Sequence, residues 1–136
     1  MRTAFVNGRI LLAEGWREDL LVLVEDGRVS ALVPGGGADG SRLGARTVDL
    51  EGDALVPGFI DVQVNGGGGV LFNDAPTPEG AAAIAQAHGR LGVTGVTPTL
   101  ISGDLGLIDR AMRAVEAAMT AGAPGVLGRS HDRLAL

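Results

Sequence analysis

The 136-residue sequence contains no cysteine, no lysine and no tyrosine. Without cysteine there is no disulfide framework, no zinc ribbon and no thiol nucleophile. All 11 basic residues are arginines, scattered among 16 acidic ones for a net charge of −5. No basic stripe results, so the chain has no electrostatic footprint for nucleic acid or for an anionic membrane. No stretch approaches the roughly 18 consecutive apolar residues of a membrane span. The first residues, Met1 to Phe5, alternate and run into Asn7-Gly8, unlike the continuous apolar core of a signal peptide. These absences predict a soluble cytoplasmic protein with neither nucleic-acid nor membrane partners.

What is present is globular: 46% hydrophobic and 20% charged residues. Glycine numbers 23 without a Gly-X-Y period, which excludes collagen. Lysine replaced throughout by arginine, with Ala, Gly, Val and Leu abundant, reads as coding bias. At about 100 to 200 residues per domain the length predicts one domain. It is too short for a complete (β/α)8 barrel of about 250 residues.

The pattern changes character at Pro57. Before it the strand period rules. Ala4 to Val6, Asn7-Gly8 and Arg9 to Leu12 predict a hairpin with a type I′ turn, and Leu20 to Val24, Asp26-Gly27 and Arg28 to Val33 predict another. The glycine-rich run from Pro34 to Gly44 predicts a loop without regular structure. Thr47 to Leu50 and Ala54 to Val56 flank a third tight connection, Glu51-Gly52-Asp53. Residues 1–56 therefore read as one small antiparallel sheet.

After Pro57 strands alternate with helices, the mark of βα units and a parallel sheet, hence an α/β class. Phe59 to Val64 is an apolar strand and Gly66 to Gly69 a turn. Thr77 followed by Pro78 predicts the start of a helix through Ala82 to Leu91, closed by Gly92. Val93 to Leu100 is a second strand. Ser102 or Asp104 caps a helix over Leu105 to Thr120, with Leu107, Ile108, Ala111, Met112, Val115 and Met119 as its apolar face and Gly122 as its end. Gly125 to Gly128 begins a third strand.

Neither Gly35-Gly36-Gly37 nor Gly66 to Gly69 has the spacing of a phosphate-binding loop or a dinucleotide fingerprint. The first reads as a solvated loop. The second follows a strand end, where parallel α/β barrels place their chemistry. The informative segment is Pro57 to Gly66. It resembles the first barrel strand of the amidohydrolase superfamily, in which Pro-Gly-Phe-Ile-Asp precedes a His-x-His pair. Residues i and i+2 share a strand face and can reach one metal ion. Here those positions hold Gln63 and Asn65, neutral amides that are weak zinc ligands beside imidazole.

The longer runs, PGFIDVQVNGGGGVLFND at 57–74 and LGVTGVTPTLIS at 91–102, together with the DGR turn at Asp26 to Arg28, are similar to N-acetylglucosamine-6-phosphate deacetylases over residues 1–128. PGFID alone is shared with dihydroorotases and hydantoinases. The resemblance implies part of a small β-sandwich over 1–56, the first two to three βα units of an incomplete (β/α)8 TIM-type barrel over 57–128, and a divergent tail over 129–136. It implies hydrolysis of the acetamide of N-acetylglucosamine 6-phosphate to glucosamine 6-phosphate and acetate. A divalent metal, zinc, would polarise the carbonyl and acidify a bound water, an Asp would relay the proton, and the intact enzyme would be a homo-oligomer. Gln63, Asn65 and Gly66 are then the residues at the mouth of the site. Asp61 is read as structural, on the opposite strand face, and His88 as a surface or packing residue far from the Gln63 strand end.

The family follows its third strand with a His-x-Glu-Gly-Pro motif whose Glu is a metal ligand. This sequence instead reads Arg129 to Leu136, and the adjacent His131 and Asp132 do not make a metal site. The resemblance therefore implies a chain cut short before its metal ligands, its later histidines and its catalytic Asp, and inactive alone. Two other readings remain open: a non-catalytic interaction module, and a fragment of another amidohydrolase acting on cyclic amides.

Overall fold

The computed structural model describes residues 1–35 and 40–127. The sequence-predicted tail over 129–136, with His131 and Asp132, lies outside them. The chain forms two compact units, Met1–Pro57 and Gly58–Leu136.

The first unit contains β1 (Arg2–Val6), β2 (Arg9–Leu12), β3 (Gly15–Arg17), β4 (Leu20–Glu25), β5 (Arg28–Pro34), β6 (Arg46–Asp49) and β7 (Ala54–Leu55). They make two sheets instead of one. The first runs β5-β4-β1-β6 and the second β3-β2-β7. The β4–β5 hairpin is as expected: Glu25 pairs with Arg28 around Asp26 and Gly27, both at positive φ (50° and 78°), which is type I′ geometry. Asn7-Gly8 does not close a hairpin. Asn7 takes positive φ (56°), but β1 lies in the four-stranded sheet and β2 in the other. On the returning chain Glu51 and Gly52 both take positive φ, 51° and 90°, where at the first corner only Asn7 does. Consequently β1 runs parallel to β6 and β2 parallel to β7, and both chains cross between sheets side by side. The two corners are sewn together: Leu50 N donates to Val6 O at 2.9 Å, Gly52 N to Asn7 O at 2.7 Å, and Asn7 Nδ2 to Asp49 Oδ1 at 3.0 Å. The expected loop after β5 also contains a 3-10 turn at Gly40–Leu43. Gly40 is buried there because a side chain would meet Ala4 and Thr47.

Ala4 and Val6 on β1 and Leu21 and Leu23 on β4, each pair on one pleat, form a core cluster of this unit with Ala45, which precedes β6. Leu20 and Val22, on the opposite pleat of β4, are buried as well.

The second unit begins with β8 (Phe59–Val64) and continues through β9 (Gly66–Gly67), β10 (Val70–Leu71), α1 (Pro78–Gly89), β11 (Val93–Pro98) and α2 (Leu105–Thr120). Strands β8 and β11 pair in parallel, each followed by a helix, as the alternating pattern predicts. Thr77 caps α1 by accepting from Gly80 N at 3.1 Å, and Pro78 occupies a first-turn position that needs no N–H. Asp104, not Ser102, caps α2, accepting from Leu107 N at 2.7 Å. The glycine run at 66–69 is more ordered than a turn. Gly66–Gly67 pairs antiparallel with Val70–Leu71 around Gly68 and Gly69, both at positive φ.

One core joins Val64, Phe72, Ile84, Val96 and Leu100 to the alanine faces of α1 and α2. The buried face of α2 is Ala111, Ala114, Val115 and Ala118, while Met112 and Met119 stand exposed. Four of the six expected residues hold this face, Ala111 and Val115 buried and Leu107 and Ile108 packed against the core, while Ala114 and Ala118 stand in place of the two methionines. Small alanines let α1 and α2 approach closely, and that contact decides which row faces inward. Of the expected third strand, the described residues show a parallel bridge between Val96 and Val126. No helix among the described residues is long and apolar enough to cross a membrane.

Candidate functional site

Because β8 and β11 are parallel neighbours, their C-terminal ends lie at one edge, and the segments after them start from that edge. Parallel α/β sheets bind ligands there. The parts of the two resembling runs that follow the strands, residues 65–74 and 99–102, start from this edge.

Gln63, Asn65 and Gly66 all belong to it, but in different ways. Asn65 is committed to the fold. Its Nδ2 donates to Thr99 O at 3.0 Å, and its main-chain oxygen accepts from Phe72 N at 2.8 Å. Thr99 is 7% exposed; its N donates to Val64 O at 2.8 Å and its hydroxyl donates to Thr97 O at 3.0 Å. Gln63 is exposed, and among the described residues its side-chain amide has no hydrogen-bond partner. The pair that looks equivalent by spacing therefore divides into a structural amide and a free one. Asp61 precedes Gln63 on β8 where the register is irregular, Val96 pairing with Asp61 and Pro98 with Val64. Its Oδ1 accepts from Gln63 N at 3.1 Å, which steadies the main chain that presents Gln63.

Gly66 sits where a side chain would strike the main chain of its own partner strand at Val70 and Leu71. His88, on α1, is not remote from this strand end. It is half-buried, its Nε2 lies 3.0 Å from Gly66 O, and a Cβ on Gly67 would come within 2.8 Å of its ring. It acts as a packing residue against the glycine ribbon. Helix periodicity cannot show this, since the contact depends on where the ribbon folds back.

Asn73 and Thr99 have roles that the sequence did not disclose. Asn73 Nδ2 donates to Ser102 O at 2.7 Å, and its Oδ1 accepts from Ile101 N at 3.0 Å. Its partners are main-chain atoms 28 and 29 residues further on, so residue spacing carries no signal of it. The only cue is that it lies inside the run at 57–74.

The edge thus presents a free carboxamide, a carboxylate beside it, and two amide-pinned loops. That can hydrogen-bond a polar ligand. It does not supply a metal centre: among the described residues no three His, Cys, Asp or Glu side chains cluster, and amide oxygens are poor ligands for zinc. No step through a metal follows from these residues.

No family model matches the chain. Over 79 residues, 58% of this chain and 20% of the relative, it is 44% identical to an N-acetylgalactosamine-6-phosphate deacetylase of Shewanella sp. (strain ANA-3). Over 102 residues, 75% of this chain and 26% of the relative, it is 32% identical to an N-acetylglucosamine-6-phosphate deacetylase of Haemophilus influenzae. The crystal structure of an N-acetylglucosamine-6-phosphate deacetylase from Pasteurella multocida superposes with a TM-score of 0.80 and 26% identity, covering all of this chain and 33% of that one. The chain spans between 20% and 26% of the length of the two curated relatives.

Proposed function

The chain is a homologue of the N-acetylglucosamine- and N-acetylgalactosamine-6-phosphate deacetylases, and on that premise we infer that it supplies the β-structured unit and the first βα units of such an enzyme. The reaction is hydrolysis of the acetamide of an N-acetylhexosamine 6-phosphate, giving acetate and the free amino sugar phosphate. The observation that carries this reading is the coincidence of sequence and fold: the runs at 57–74 and 91–102 lie on two adjacent parallel strands and meet at their C-terminal edge. Relatives named for both the gluco and the galacto epimer support a substrate class defined by acetamide and phosphate.

The barrel reading is supported by what the second unit leaves open. Phe59, Ile60 and Val62 on β8 are each more than 60% exposed, whereas strands of parallel sheets are normally covered on both faces. Further strands and helices of a (β/α)8 barrel would cover them. In this reading Gln63 contacts the ligand directly, Asn65 and Gly66 shape the mouth, and a divalent metal, zinc, is held by residues other than those described here. The 136 residues alone are then inactive.

Two measurements test this. Nucleotides downstream of codon 136, translated in all frames, are expected to encode His-x-Glu-Gly-Pro, and the complete gene product supplied with zinc is expected to release acetate from N-acetylglucosamine 6-phosphate or its galacto epimer. A complete product that releases acetate from neither sugar, or that opens dihydropyrimidine rings instead, refutes the assignment.

A further inference from the structure

We propose that Asn73 is a positioning residue for the site at the β8–β11 edge, and that it acts by locking the segment after β11 onto the segment after β8. The proposal rests on the deacetylase reading. A carboxamide offers a donor and an acceptor on two separate atoms, and Asn73 uses both, its Nδ2 donating to Ser102 O at 2.7 Å and its Oδ1 accepting from Ile101 N at 3.0 Å. The same two segments are joined a second time by Asn65 and Thr99. Ile101 and Ser102 are exposed and precede the capping residue Asp104, so little packing restrains them apart from Asn73. Asn65 in turn keeps its orientation only while the Thr99 carbonyl stays in place, two residues before Ile101. Gln63, the free amide, is presented from the strand that Asn65 terminates. Asn73 thus governs the spacing between the two walls of the mouth without touching a ligand itself.

A shift of about 1 Å in a site's supporting elements can lower turnover by about a hundredfold. The test uses the complete gene product carrying Asn73→Ala or Asn73→Asp, with hydrogen exchange at the Ile101 amide and kcat and KM for N-acetylglucosamine 6-phosphate measured on each. In Asn73→Ala, Ile101 exchange accelerates by about tenfold or more and kcat falls by about ten- to a hundredfold, while KM changes by less than about threefold. Asn73→Asp keeps the acceptor for Ile101 N but faces an oxygen to Ser102 O. It retains Ile101 protection and gives an intermediate kcat, and it decides the matter if Asn73→Ala does not fold. Unchanged Ile101 exchange in Asn73→Ala overturns the lock. Accelerated exchange with unchanged kcat overturns the positioning role, leaving Asn73 merely structural. An unsubstituted enzyme without turnover overturns the deacetylase reading itself, a result distinct from either.

Discussion

Replacing Gly66 with alanine should unfold the glycine ribbon at the site's mouth. The backbone conformation of Gly66 is one that alanine tolerates, so the obstacle is purely steric. The new methyl would strike the Val70 carbonyl oxygen and lie 3.1 Å from Leu71 Cα, and both belong to the main chain of its partner strand. Admitting it requires the Gly66–Leu71 pair to separate, which also loosens the Phe72 N to Asn65 O bond at 2.8 Å and the His88 contact to Gly66 O at 3.0 Å. Overpacking of this kind costs about 1 to 3 kcal/mol, and a lost hydrogen bond adds about 1. A destabilisation of about 3 kcal/mol is expected. Gly69→Ala is the control: nothing lies within 4 Å, but φ is +82°, so only conformational strain of about 1 to 2 kcal/mol applies. Both α-helices among the described residues lie in the second unit and the one tryptophan, Trp16, in the first. In a urea titration helical ellipticity therefore follows the second unit and tryptophan fluorescence the first. With a slope of about 1 to 2 kcal/mol per molar, Gly66→Ala should lower the helical midpoint by about 1.5 to 3 M, clearly more than Gly69→Ala. Equal shifts for the two variants would refute the steric argument.

Ile84 is completely buried between α1 and the second unit's core, so Ile84→Ala should cost about 2 to 5 kcal/mol in the same ellipticity assay, among the largest single losses in that unit. Thr77→Ala and Asp104→Ala each remove an N-cap acceptor and should cost about 1 kcal/mol apiece, Asp104 the more because its charge also faces the positive end of α2, a difference that salt should erase. In the first unit the Arg17 guanidinium, 2.6 Å from Asp19, holds that carboxyl below its ordinary value. The folded value is the lower one, so this contribution is present above the unfolded value near 3.9 and is lost as pH falls through that range. An NMR titration should place the Asp19 midpoint below that of an ordinary aspartate and return it upward in Arg17→Met.

Local chemistry was legible where it decided the outcome by itself. Asp26-Gly27 closes a hairpin, and Thr77-Pro78 and Asp104 start helices, because turn and cap geometry depend on adjacent residues. Asn7-Gly8 shows the limit. Its dipeptide specifies positive φ, which the chain adopts, but not which strand comes next to it; β6 and β7, some forty residues on, made that choice. On α2 the periodicity places Leu107, Ile108, Ala111 and Val115 correctly but not Met112 and Met119, since alanine and methionine are interchangeable by periodicity and only the neighbouring helix distinguishes them. At the site, alternation put Gln63 and Asn65 on one pleat but could not tell the engaged amide from the free one, because Asn65 is engaged by Thr99, 34 residues away. Asn73 carries no cue beyond its place in the run at 57–74, since its partners are main-chain atoms that any residue would provide.

The twin corners of the first unit also set an order of assembly. The hairpin of β4 and β5 is local and can form within microseconds. Strand β1 precedes both of its neighbours in the chain, with β4 on one side and β6 on the other, and its bend at Asn7 is secured by residues 49 to 52. During synthesis β4 can pair with one edge of β1 early, but the other edge stays open until some fifty residues have emerged, the long-range closure that slows β-rich folds and exposes them to misassociation. A chaperone that holds nascent chains should engage this open edge and release it when β6 arrives.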